Sequence, residues 1–383
     1  IREAEPDFRM QIFEILNDRG LELTKIDRIR ANIVNTFFDE SDRDEYIGKW
    51  EDIVTAFGTD SNKIETYLAV YLSIIESGVS STSEANSELL NAFSSRNIES
   101  DVNPRLESPA TAREFLDKAK ELVSYYEDIT NPKLDDNDLD IDPSLQARCQ
   151  EILIRLDELG TSQWHPLILS LYYETATTPE GDDEKFYNVL DTVEKLNIRR
   201  LLIDANPNVL ENVFIDGAHQ FQRTREDGGN PYEATRRHVV NVVQSNSSQL
   251  FADSFVDILA QKYDWDTTYV KSLFAKISNQ KFRERPGAVG RELDMEQIHL
   301  EHVLPKNLVR RSGETKWPTQ FFKLDEERSD ITEKVETYID LATANELENE
   351  EAQRMNEIES YLKERFINDI GNYLLLQDTN NLS

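Results

Sequence analysis

Along most of the chain the apolar residues return every three or four positions, and this period leaves room for little besides α-helix. The run "SNKIETYLAVYLSIIESG" (61–78) carries a wide apolar face. Ser61 and Asn62 read as its cap and Gly78 as its end. "SPATAREFLDKAKELVSYYEDI" (108–129) opens on Ser-Pro, a favoured helix entry, and "PSLQARCQEILIRLDELG" (143–160) ends in glycine. Segments 165–176, 183–205 and 251–263 continue the pattern. Residues 217–238 are polar and glycine-punctuated and predict a loop followed by a helix. The acidic segment 131–143 predicts a loop without the glycine turn and terminal Glu of a calcium-binding loop. Strand-like sequence is confined to "QIHLEHVLP" (297–305) and "GNYLLLQD" (371–378), with a long charged helical insertion (325–366) between them. The predicted fold is mainly α: a multi-helical middle domain, then a small α+β domain interrupted by the insertion.

At 383 residues, 38% of them hydrophobic, the chain can bury a substantial core and has the length of about two or three domains. No apolar run approaches the ~18 residues of a membrane span. The chain opens at Ile1 without an initiator Met or a signal-peptide pattern, so it is expected to be a fragment of a longer protein. The one cysteine, Cys149, lies on an amphipathic helix pattern and is expected in the core. It allows no intrachain disulfide and no cysteine zinc finger, and a reducing cytoplasm is the expected compartment. The net charge of −32 opposes a nucleic-acid partner at low salt. The acidic residues are spread along the chain rather than gathered in a tail, as suits a halophile. At molar salt the Debye length is only ~3 Å, so DNA is not excluded by net charge.

Near the N-terminus, "FEILNDRGLELTKIDRIRANIV" (13–34) joins a turn around Asn17, Arg19 and Gly20 to a helix start. Thr24 and Asp27 have the spacing of a capping box. The pattern of Phe13, Leu16, Asn17, Arg19, Gly20, Leu23, Thr24, Asp27, Ile29, Arg30 and Asn32 resembles the hallmark of the GmrSD-type modification-dependent (type IV) restriction endonucleases. In that family the motif closes a ParB-like domain that binds and hydrolyses nucleoside triphosphate. The family's upstream Asp-Gly-Gln-Gln-Arg motif is absent from this chain. The resemblance therefore implies that residues 1–40 are the tail of that domain, that 41–285 form a helical domain, and that the full-length protein uses an NTP. Asn17 and Arg19 are the implied nucleotide contacts. The segment 193–214 resembles the family's middle region, and its Arg199 and Arg200 are candidates for touching DNA phosphate, or else for bridging acidic neighbours.

On strand alternation alone, His302 continues the apolar row of Ile298 and Leu300 until Pro305, and reads as a core histidine. Asn372 after Gly371, a strand, and then Asn381 add parts that phosphodiester hydrolysis needs. Imidazole suits a base near neutral pH, and carboxylate and amide oxygens suit a magnesium-like ion. His302-x-x-Pro305 followed by Gly371-Asn372, the Leu374–Leu376 run and Asn381 resembles the His-Me finger (HNH) nuclease signature of the same family. The resemblance implies His302 as general base, Asn372 as the residue ordering the finger loop, and Asn381 and Glu301 as ligands of a divalent metal, with Mg the expected ion. Lys306 stands where the pattern usually has Gln and is a candidate phosphate contact. The nuclease domain would span 286–383, truncated just past Asn381. The implied function is a metal-dependent endonuclease acting on modified DNA in a defence system. The alternatives are a non-catalytic helical module that binds DNA or protein and carries a degenerate nuclease remnant, and an RNA-cleaving His-Me finger.

Overall fold

Thr24 opens the first described helix in the computed structural model of the chain, which describes residues 24–36, 40–58, 60–96, 102–132, 139–178, 182–251, 255, 258–259, 266–283, 298–302, 329–344, 348–362 and 373–377. The Asp27 amide donates to Thr24 Oγ1 at 3.1 Å, and the Thr24 amide donates back to Asp27 Oδ2 at 3.1 Å. This reciprocal pair is the expected capping box. It starts α1 (Lys25–Thr36), whose Ile26, Ile29 and Ile33 are buried at helical spacing. Then follow α2 (Glu40–Ala56), α3 (Ser61–Ile75), α4 (Thr82–Ala92), α5 (Pro109–Thr130), α6 (Pro143–Glu158), α7 (His165–Thr177), α8 (Asp183–Leu202), α9 (Asn208–Glu226) and α10 (Pro231–Asn246). The chain divides into two compact units: residues 1–200 with 205–251, and residues 201–204 with 252–383.

In the first unit α3 and α7 lie at the centre. Every residue from Tyr67 to Ile74 is buried, as is every one from Pro166 to Tyr172. A helix buried on all sides needs neighbours on all sides, and α3 has them in α1, α4, α5, α7 and α9. The largest sealed side chains include Trp50, Trp164, Tyr67, Tyr71, Phe93, Phe186, Phe214 and Phe221. Each such burial stabilises the fold by about 1.5–3 kcal/mol relative to exposure. The tyrosines bring hydroxyls inward and satisfy them: Tyr71 donates to the Phe115 carbonyl at 2.9 Å, and the Tyr232 and Thr175 hydroxyls share a 2.8 Å bond. Cys149 is fully buried as expected, and burial pushes its thiol up to about 12. Arg155 and Glu194 form a buried ion pair between α6 and α8.

Ser108 caps α5 by accepting from the Thr111 amide at 3.2 Å. Gly160 ends the segment after α6 with a positive φ of 63°, where a Cβ would be strained. Other expectations are corrected. The cap of α3 is Asp60, whose carboxylate accepts from the amides of Asn62 and Lys63 at 3.0 and 3.3 Å. The helix ends at Ile75, ahead of Gly78. Residues 217–226 are the second half of α9 rather than a loop. Gly217 is there because helices pack closely at that point: a Cβ would meet Val239 of α10 at 3.0 Å and Leu167 of α7 at 3.4 Å. The turn comes later, at 227–230, where Gly228 has φ 71°.

The second unit contains α11 (Thr267–Arg283), β1 (Ile298–His302), α12 (Ser329–Thr343), α13 (Asn349–Leu362) and β2 (Tyr373–Gln377). Of residues 251–263, Phe255, Ile258 and Leu259 are described as helical. The charged insertion is helical as expected and contains these two helices, with Ala344 non-helical after the first. They pack on each other through Val335, Tyr338, Ile339 and Leu362, flanked by Met355 and Ile358. The molecule is mainly helical, and no helix among the described residues is long and apolar enough to cross a membrane.

Candidate active site

The two strands form one antiparallel ladder, although residues 303–372 separate them in sequence. The register pairs Ile298 with Gln377, His299 with Leu376, Leu300 with Leu375, Glu301 with Leu374 and His302 with Tyr373. Ile298 and Tyr373 are residue types that favour strand, and both segments fall inside the stretches whose sequence predicts strand. A two-stranded ladder is marginal alone in water. Here α11 lies against both strands. Asp266 starts that helix by accepting from the Thr268 amide at 2.8 Å, and Lys281 and Arg283 complement the dipole in its last turn.

The ladder places the backbone of His302 at the end of β1, opposite the first residue of β2. That residue, Tyr373, directly follows Asn372 in the chain. Regular pairing persists through Glu301 and His302, and successive ladder positions belong to opposite faces of a sheet. Asn372, Asn381 and Lys306 lie outside the described residues, as do Asn17 and Arg19. Among the described residues no three His, Cys, Asp or Glu side chains converge as a metal cluster.

Arg199 and Arg200 are placed in full. Arg200 is buried, and its Nη1 donates to the Ala205 carbonyl at 3.3 Å, holding the turn after α8. A guanidinium buried in this way serves its own backbone. Arg199 donates to the Leu250 carbonyl at 3.0 Å and sits 5.6 Å from the Phe251 ring centroid. Both arginines serve backbone carbonyls, a use that charge patterning in the sequence does not reveal.

The three histidines of the helical unit differ from one another. His219 Nε2 bonds the Ser73 carbonyl at 2.8 Å, and burial is the main reason its pKa is lowered. His238 Nε2 lies 2.6 Å from Asp216 Oδ2. His165 stacks edge-on against Trp164 and Tyr126, with ring centroids 4.4 and 5.6 Å away, and its buried Nδ1 has no hydrogen-bond partner. Burial lowers its pKa to about 3, so it is neutral at physiological pH. An orphan of this kind costs about 1–3 kcal/mol. His165 lines a cavity of ≈ 510 Å³ that sequence patterns did not flag, because four separate helical segments contribute its walls. Comparison with family models, with characterised proteins and with solved structures returns no match for the chain.

Proposed function

We propose that the chain carries the helical and nuclease parts of a GmrSD-type, modification-dependent DNA endonuclease, which hydrolyses phosphodiester bonds with His302 as general base. The observation that supports this most is the β1–β2 ladder. It joins two segments remote in sequence, one ending in the His-x-x-Pro run and the other following Gly371-Asn372, in a register that sets His302 opposite Tyr373. A His-Me finger requires a hairpin of that kind.

In this reading neutral His302 takes a proton from the attacking water, a role suited to imidazole near pH 7. Asn372 orders the loop entering β2. Asn381 and Glu301 supply hard oxygen donors of the type a magnesium-class ion accepts. When bound, that ion stabilises charge on the phosphate and the leaving oxygen. Because Glu301 and His302 are adjacent ladder positions, Glu301 serves this ion only if the strand bends at its end, so His302 carries the larger part of the proposal. Nucleotide control would come from the ParB-like domain whose tail includes Asn17 and Arg19, and the substrate would be modified DNA in the cytoplasm.

The test is cleavage of modified and unmodified plasmid by the full-length protein with magnesium in high salt. His302→Ala is expected to lower the rate about 10²–10⁴-fold while leaving DNA binding intact. Cutting at the wild-type rate by the variant contradicts the proposal. Cleavage of RNA in place of plasmid would assign the same finger to the other nucleic acid.

A further inference from the structure

Among the described residues, one cavity of the helical unit brings a lysine outside any ion pair beside a histidine whose buried Nδ1 has no partner. Thr175 and Tyr232 satisfy each other, Tyr71 and Trp164 donate to carbonyls, and Arg155 meets Glu194. The described lysines Lys25, Lys49, Lys118, Lys120, Lys185 and Lys195 of this unit each lie within ion-pair distance of a carboxylate. Lys63, on the first turn of α3, makes no ion pair among the described residues, in a chain of net charge −32. It lines the ≈ 510 Å³ cavity with Phe57, Asn62, Tyr126, Glu127 and His165.

Those six side chains are complementary in kind. Phe57 is partly exposed and is the outer member of an aromatic cluster, 5.1 Å from Tyr67 and 6.0 Å from Tyr126 by ring centroid. It offers a flat apolar surface. His165 Nδ1 is a buried orphan, and the Asn62 amide, the Tyr126 hydroxyl and the Glu127 carboxylate line the same cavity. Burial, with help from Asp128, raises the pKa of Glu127. Lys63 and Glu127 make no ion pair with each other, so one cation and one carboxylate both remain for a ligand. A cavity of this volume is the size of ordinary small-ligand sites, which combine apolar walls with a few convergent polar groups.

We infer that this cavity is a nucleotide site, taking one purine or pyrimidine base with an exocyclic amine against Phe57 and its phosphate at Lys63. Stacking on an aromatic face suits any base. A carboxylate accepts from an exocyclic amine, so Glu127 selects cytosine- or adenine-type bases over uracil. The neutral imidazole of His165 and the Tyr126 hydroxyl complete a polar edge without adding charge. Glu127 repels phosphate, which confines the anionic end to Lys63. The same chemistry can arrive as a free nucleotide or as a base extruded from a strand. The inference is independent of the nuclease reading.

Calorimetric titration with CMP, UMP and cytidine tests the first source, and a short duplex holding one unpaired cytosine tests the second. CMP is expected to saturate the site and UMP to bind at least about tenfold more weakly. Lys63→Ala should weaken CMP about tenfold, the cost of one charge-assisted bond, and leave cytidine unchanged. Glu127→Gln should erase the preference for CMP over UMP. Neither side chain holds the fold together, so both variants should keep the wild-type melting curve. Saturation by the unpaired-cytosine duplex alone, weakened by Lys63→Ala, assigns the site to an extruded base. No saturation by any of the four probes overturns the inference, as does binding that neither substitution alters.

Discussion

The helical unit and the C-terminal unit solve the problem of burial in opposite ways. The first surrounds α3 and α7 with other helices and seals tryptophans, tyrosines and phenylalanines in the space between. The second, over its described residues, rests on a small cluster of Val335, Tyr338, Ile339 and Leu362 and on a two-stranded ladder backed by α11. The contrast teaches where stability and chemistry are divided. A large, cross-braced core tolerates the cost of an orphaned histidine beside a cavity. A short two-stranded ladder brings remote segments together, but it depends on its neighbours to persist.

The largest stability effect expected is at the buried ion pair. Glu194→Ala leaves the buried Arg155 with only the longer contact of its Nη1 to Glu151 at 3.4 Å, and should cost about 3 kcal/mol. Denaturant unfolding followed by far-UV circular dichroism measures it. If the two units melt independently, the C-terminal transition should stay where it is.

Leu362→Ala probes the other side of the comparison. It empties the small cluster between α12 and α13 and should cost about 2–3 kcal/mol. Amide exchange should rise across 329–362 while α3 and α7 remain protected.

A pH dependence comes next. The folded pKa of His165 lies near 3, below the ordinary value of 6.5, so the unfolded chain takes up its proton first as the solution is acidified. The stability linked to this group is whole above about pH 6.5 and falls as pH drops toward 3, at up to about 1.4 kcal/mol per pH unit. The difference in unfolding free energy between wild type and His165→Phe should therefore change with pH across that window and be flat above it.

The smallest effect concerns a cap. Asp60→Ala removes the carboxylate that accepts from two amides at the start of α3 and should cost about 1 kcal/mol. Ser61→Ala, at the position the sequence marks as the cap, should cost less.

These caps also show what is legible in a sequence. Thr24 with Asp27, Ser108 with Pro109, and Gly160 are local signals, and each acts where its spacing points. Asp60 was obscured because Asp, Ser and Asn follow one another there, and only backbone conformation decides which one caps. Residues 217–226 read as a loop because a glycine and several polar residues mask the buried Phe221. The glycine's reason is a tertiary contact with α10 and α7, which no local pattern contains. The positions of both strands were readable, since the alternation of Ile298 and Leu300 and the short apolar run of Leu374, Leu375 and Leu376 are local signals. The cavity was not, because Phe57, Lys63, Tyr126 and His165 meet only after four helical segments pack.

The proposal that the ladder carries a general base is tested most directly by chemical rescue. His302→Gly is made in the full-length protein, and single-turnover cleavage of modified plasmid with magnesium is followed with and without added imidazole. The account predicts near-complete loss of cutting, with part of it restored by imidazole in proportion to the free-base concentration. Wild-type cutting by the glycine variant without imidazole would contradict it.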